Sequence, residues 1–326
     1  MSFIALLLIL LSALAHSSWN LLLKQSGDKE TFVWWLLVTA SLILSPIGFL
    51  LISQTNIDLQ GWLLVLTTIA LHIFYFVFLG RGYAQGDLSL VYPVARGIGP
   101  MLTPFLAIVV LNERVHILAI VGALTIVLGI YLMFWWNNFA KFAKKPSEIL
   151  QTPGIGYAIL TGIIISLYSL VDKKGVSSIQ PFLYMYLLTL GTAIGLTPYI
   201  LWKVGWKSAN LELRNNITPI VIAGLLTYLA YALVLTAFSF SKVSYVAPAR
   251  EIGIVVGVLM GVVILKEDLN KQRIIGSLTI MVGVICITLS PYRYKVDFHQ
   301  IIYGPLNYQT NIQIRRHQIY LNEFDS

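Results

Sequence analysis

DLSLVYPVARGIGPMLTPFLAIVVLNE, residues 87–113, is apolar enough to sit in a bilayer, yet it carries Arg96 near its middle and Glu113 at its exit. The stretch returns 154 residues later without a gap: Ala95-Arg96 falls on Ala249-Arg250, Ile98 on Ile252, Gly99 on Gly253, Leu111 on Leu265 and Glu113 on Glu267. From Asp87–Leu132 against Ser241–Cys286, 13 of 46 positions are identical, among them Gly122 with Gly276 and Gly129 with Gly283. A register kept over that length means that one unit has been used twice.

Composition sets the class. Of 326 residues, 57% are hydrophobic and 11% charged, and the mean hydropathy is +0.80, against a charged fraction of about 25% in soluble domains. Runs of roughly 20 apolar residues, the length that spans a bilayer, recur between short polar breaks. The formal charge of +8 comes from basic residues spread in ones and twos, mostly through those breaks and the tail, which argues for lipid headgroups and against nucleic acid as the partner. Cys286 is the one cysteine, and the five histidines show no ligand spacing, so neither a disulfide nor a metal or other cofactor site is expected. The first 23 residues lack a basic leader and are followed by further apolar runs, which marks a first span rather than a signal peptide.

The sequence predicts an all-α membrane protein of ten helices, at about 3–23, 31–52, 61–80, 88–111, 115–136, 154–172, 180–202, 217–240, 244–265 and 273–290. Lys141, Lys144, Lys145, Pro146, Ser147 and Glu148 give 137–153 a linker composition, leaving five-helix units at 1–136 and 154–290 and a polar tail at 291–326. Five is odd, so the second unit lies upside down relative to the first. That is the inverted-repeat plan of secondary transporters, with a site near the midplane between the units.

Orientation is read from loop charges. The loops after helices one, three, five, seven and nine hold twelve Lys and Arg, and the opposite loops with the tail hold eight. Taken alone, the positive-inside rule would place both termini outside, although Lys24 and Lys173, each near the end of a span, are also candidates for a functional role.

Arg96 and Arg250 each fall ~5 Å from the midplane by helix rise, and together cost ~5 to 7 kcal/mol on insertion scales. Two readings stand. The guanidinium groups face a cavity and hold a substrate anion, since their planar fork matches carboxylate or phosphonate oxygens. Alternatively they satisfy carbonyls freed by Pro93 and Pro248, or Glu251 neutralises its neighbour. Glu251 has no counterpart, because Gly97 stands in its place; a lone carboxylate beside an arginine either balances charge or takes up a coupling proton. Asp172, His16 and His72 are further proton candidates, each also readable as a satisfied polar group. Tyr92, Trp19, Asn20 and Tyr168 are candidate substrate contacts; Trp34, Tyr75, Tyr228 and Tyr231 add aromatic rings that line a pocket or belong to the interfacial belt.

Gly253, Gly257 and Gly261 form a small-residue face expected to bring the two arginine-bearing helices together. Glu113 and Glu267, at helix exits, are expected to favour the positive N-terminus of the following helix, with a gate contact as the alternative. There is no HExxH, GxSxG or Walker loop, so no catalytic residue is assigned.

The WN-LLLK start at Trp19–Lys24 and the paired ends VVLNE (Val109–Glu113) and VILKE (Val263–Glu267) before glycine-rich helices resemble the EamA-type transporters of the drug/metabolite transporter (DMT) superfamily. The resemblance covers about residues 3–290. It implies an inner-membrane secondary transporter working by alternating access, commonly exporting small metabolites, with both termini cytoplasmic, opposite to the charge count. SLVYPVARGIGP (Ser89–Pro100) and SYVAPAREIG (Ser244–Gly253) are also similar to a subgroup associated with phosphonate utilisation. The expectation is a carrier of a small polar or anionic metabolite, monomeric or homodimeric and proton- or exchange-coupled. The competing class is an intramembrane lipid-handling protein or enzyme whose arginines grip a phospholipid headgroup.

Overall fold

Polar side chains open the helices where the apolar runs begin. In a computed structural model, which describes residues 1–86, 88–135 (88–90 as backbone only) and 151–291, Ser2 accepts from the Ala5 amide at the start of α1 (Phe3–Gln25). Asp28 caps α2 (Lys29–Gln54) and Asp58 caps α3 (Leu59–Gln85), the latter accepting from Gly61 N at 2.7 Å. Such caps satisfy amides that lack a partner within the helix. α4 (Leu88–Leu111), α5 (Ile117–Trp135), α6 (Ile155–Gly175) and α7 (Pro181–Phe240) follow, then α8 (Val243–Ala249), α9 (Ile252–Leu265) and α10 (Lys271–Leu289). Every element among the described residues is a helix. Most of the expected linker and nearly all of the tail lie outside the described residues.

Two features differ from the sequence expectation. The segment expected as a loop between 202 and 217 is largely helical, so helical structure continues with two breaks from Pro181 to Phe240, more than twice the roughly 20 residues that one crossing needs. Backbone breaks at Gly205 (φ 74°) and Asn216 (φ −129°) divide it into limbs at 181–204 and 217–240, and the piece between is held to α2 by Trp35 Nε1 donating to Ala209 O at 2.7 Å. The expected span at 244–265 is interrupted at Arg250-Glu251, between α8 and α9. Pro248 has no N–H to continue the ladder, and the amides of Glu251, Gly253 and Ile254 reach back only three residues, to Pro248, Arg250 and Glu251. Tight turns of this kind re-aim a side chain within an otherwise helical run. α4 carries Pro93, Pro100 and Pro104 yet stays continuous.

Nine of the described helical segments, with α7 counted once and α8–α9 taken together, are long and apolar enough to cross a membrane. Their outer faces present large apolar side chains such as Phe49, Leu59, Val263 and Leu289, a surface that suits lipid rather than water. Inside, Tyr184, Phe238, Tyr245 and Ile9 form one core, and Phe32, Trp34 and Trp35 form another where α2 meets α7. The repeated glycines seat α5 on α10: a Cβ added at Gly122 would stand 2.6 Å from the Gly283 carbonyl, and one at Gly129 would stand 2.8 Å from that of Gly276. The glycine face of α9 packs elsewhere than expected. Gly253 and Gly257 look onto Ala13 and Ser17 of α1, and Gly261 onto Glu267, so this face accommodates α1 and not the helix of Arg96.

Candidate functional site

The interruption between α8 and α9 puts Arg250 and Glu251 on a tight turn, and Arg96 of α4 meets them from the other half of the chain. Arg96 Nη2 lies 2.8 Å from Glu251 Oε2, and Arg250 Nε lies 4.0 Å from Glu251 Oε1. Glu251 is 1% exposed, and the arginine side chains 14% and 13%. Glu251 lies within ion-pair distance of its neighbour Arg250, but its nearer partner is Arg96, 155 positions away in sequence. Arg250 turns to Tyr168 OH at 3.5 Å and sits over the Tyr231 ring at 5.9 Å. One carboxylate thus serves two guanidinium groups, and both Nε atoms are buried without a hydrogen-bond acceptor.

These arginines line a cavity of about 110 Å³, some seven to eleven times the ~10–15 Å³ that one water requires. The wall beside them is aromatic, with His16 and Trp19 from α1, His72 and Tyr75 from α3, Tyr168 from α6 and Tyr231 from α7. Trp19 Nε1 donates to His16 Nδ1 at 3.2 Å, which assigns the histidine's proton to Nε2. His72 Nδ1 bonds Thr68 O at 2.9 Å, and its ring lies 4.3 Å from that of Tyr168. Thr192 and Thr227 of α7 also line the cavity, each with a buried hydroxyl that has no partner. They were not anticipated, because a lone threonine in an apolar helix gives no pattern to read.

Asp172 stands behind this wall, fully buried. Thr68 donates to it at 2.5 Å, Tyr184 at 2.9 Å, and Tyr231 also donates to it. Three hydroxyls from α3 and both limbs of α7 converge on one carboxylate, as a buried acceptor requires. Tyr231 joins this network to the face of Arg250.

Asn20 and Tyr92 lie off the cavity wall. Asn20 donates to His16 O at 2.7 Å, and Tyr92 neighbours Arg96 but packs edge-on against Phe134. Of the other aromatic candidates, Trp34 bonds Ala193 O and Thr197, and Tyr228 bonds Phe182 O.

The two exit glutamates have different partners, and neither caps the helix that follows it. Glu113 does not serve α5, the helix that follows it. It accepts from Val243 N at 3.0 Å, Ser244 N at 3.1 Å and Ser244 Oγ at 2.5 Å, capping α8. Glu267 pairs with Lys24 and with Arg273 Nη1 at 2.9 Å, while Asn270 caps the following α10.

The hydrogen bond from Lys24 is the main force holding the Glu267 carboxyl below its ordinary 4.5, against partial burial and with help from Arg273. A lowered folded-state pKa contributes stability that is present above the unfolded value and lost as pH falls through the folded one. In detergent, thermal stability should therefore decline more steeply below about pH 4.5 in the wild type than in E267Q. Equal acid slopes would mean that the pair contributes nothing, and its exposure keeps the effect modest.

An apolar helical bundle enclosing a small cavity lined by two largely buried arginines fits a multi-pass membrane protein. The profile of the EamA-like transporter family matches the chain twice, at residues 3–135 and 152–289; the chain belongs to that family, within the DMT superfamily. A solved structure described only as "Crystal structure of protein" is similar over 87% of this chain and 96% of its own, with a TM-score of 0.64 and 17% identity, which speaks for the fold alone.

Proposed function

We propose that the protein is a secondary transporter that carries a small anionic metabolite through the Arg96–Arg250 cavity by alternating access. The observation that carries this reading is the shared glutamate: two guanidinium groups, one from each family match, hold one carboxylate and leave buried N–H groups unused. The trio has a net charge of +1, from two cations and one anion, so an entering carboxylate or phosphonate completes the balance and competes with Glu251 for the forked donors. A carboxylate displaced in this way into a buried cavity is a seat for a coupling proton, with His16, His72 and the Asp172 network around it.

Contacts between helix ends support ten crossings in two inverted units at 1–136 and 154–290, joined by 137–153. On one face lie Lys24 with Glu267, Glu30 with Lys203, and Gly86 with Gly154. On the other lie the Met1 amine with Thr288 O, Gly61 with Ile179, and Glu113 with Ser244. If each limb of α7 and the joined α8–α9 cross once, consecutive crossings sort the ends into these two groups. Export across the inner membrane, with both termini cytoplasmic, follows the family resemblance.

Equilibrium binding to purified protein tests the site. Radiolabelled small carboxylates and phosphonates should bind saturably to the wild type and fail to bind R250Q. Binding confined to neutral solutes, or unaffected by R250Q, would remove the arginines from substrate recognition.

A further inference from the structure

The two family matches place equivalent charges at opposite ends of the bundle. Lys24, in the last turn of α1, corresponds to Lys173 in the last turn of α6, each five residues after the aromatic of Trp19-Asn20 or Tyr168-Ser169. Glu267 corresponds to Glu113 by the 154-residue shift. α1 packs on α9, and its counterpart α6 packs on α4. The helices that carry each lysine and glutamate are therefore neighbours at both ends of the bundle.

The two ends are nonetheless in different states. Lys24 and Glu267 are bridged across the halves of the chain. Lys173 instead donates to Phe238 O, while Glu113, within its electrostatic reach, caps α8 through Val243 and Ser244. Lys242 Nζ donates to Arg114 O at 2.5 Å at that end, where Arg114, Lys174 and the Met1 amine are further cations. Equivalent residues in equivalent surroundings thus hold different partners, which is what a bundle of inverted repeats does when its two ends exchange roles.

We propose that Lys24–Glu267 and Lys173–Glu113 are reciprocal gate pairs: each lysine meets its glutamate in one facing of the transporter and releases it in the other. In the second facing Glu113 leaves the α8 N-terminus for Lys173, and Lys24 parts from Glu267. No bond is made or broken covalently, and the energy exchanged is that of partly exposed ion pairs and a helix cap. Lys24, Lys173 and the two glutamates act as positioning residues, setting which face of the arginine cavity is open without touching the substrate.

The inference rests on the alternating-access reading, and one experiment separates the two. Cys286 is replaced by serine, and Thr192→Cys supplies a single thiol on the cavity wall. Proteoliposomes of known sidedness are treated from either face with a membrane-impermeant, sulfonate-bearing methanethiosulfonate. The ratio of labelling from the two faces should shift by roughly two- to five-fold, the worth of exposed ion pairs, in opposite directions for K24Q and K173Q. The double K24Q/K173Q variant should return to the starting ratio, and K173R should keep it. K173M replaces K173Q if the latter does not accumulate. Shifts in the same direction, or no shift while both faces still label the thiol, would overturn the gate pairs and leave alternating access standing. Labelling from one face only in every variant would overturn both.

Discussion

R96Q/E251Q is expected to accumulate in the membrane at the wild-type level and to lose anion binding by roughly 10- to 150-fold, the ~1.5–3 kcal/mol of a hydrogen bond to a charged group. Both partners must change together. R96Q alone leaves Glu251, 1% exposed, with Arg250 Nε at 4.0 Å as its remaining cation, and breaking a buried ion pair on one side costs ~3–5 kcal/mol. That single variant would confound folding with function. R250Q is the complementary case: the Arg96–Glu251 pair survives, and the net charge of the trio falls from +1 to zero. It too should stay abundant while anion binding fails. Quantifying membrane abundance and equilibrium binding on the same preparations checks both variants. Wild-type affinity in R96Q/E251Q would make Arg96 a purely structural partner of Glu251.

Substituting Gly122 or Gly283 by valine is expected to have the largest effect on stability. A Cβ at Gly122 meets the Gly283 carbonyl at 2.6 Å, and one at Gly283 meets the Gly122 carbonyl at 2.6 Å. These are backbone atoms, so no flexible side chain can yield, and α5 must separate from α10. Overpacking of this kind costs ~1–3 kcal/mol or more. G122V and G283V should lower both membrane abundance and the thermal midpoint in detergent. The cavity draws no lining residue from α5 or α10, so whatever protein folds should bind its anion with unchanged affinity. G257A is the control, because its Cβ would stand 3.7 Å from Ser17 Oγ, an ordinary contact. A G122V protein with an unchanged midpoint would mean that these helices do not touch at that point.

Much of this was legible because the chain is written twice. Arg96 and Arg250 stood out as charges in the same register of two apolar runs, where a polar side chain is costly enough to demand a reason. Gly122 with Gly276 and Gly129 with Gly283 were visible in the same alignment, but their contacts run antiparallel, Gly122 to Gly283 and Gly129 to Gly276, which a linear comparison does not reveal. The partner of Glu251 was hidden for a related reason. Sequence shows the neighbour Arg250, whereas the turn after Pro248 aims the carboxylate across the interface at Arg96. Glu113 and Glu267 look identical in sequence and differ in partner, because the two ends of the bundle are in different arrangements. The hydroxyls on Asp172 come from residues 68, 184 and 231, a convergence that only the packing of α3, α6 and α7 produces.

The most direct test of the central claim is solute flux. Proteoliposomes of the wild type, R250Q and R96Q/E251Q, matched for reconstituted protein, are loaded with small carboxylates, phosphonates and neutral amino acids and followed with and without a pH gradient. The account predicts that the wild type moves at least one small anion, that the gradient changes its rate, that R250Q moves none, and that R96Q/E251Q moves it more slowly in proportion to its weakened binding. Turnover or flipping of lipid with no solute flux, or equal flux of neutral solutes in the wild type and R250Q, would contradict it.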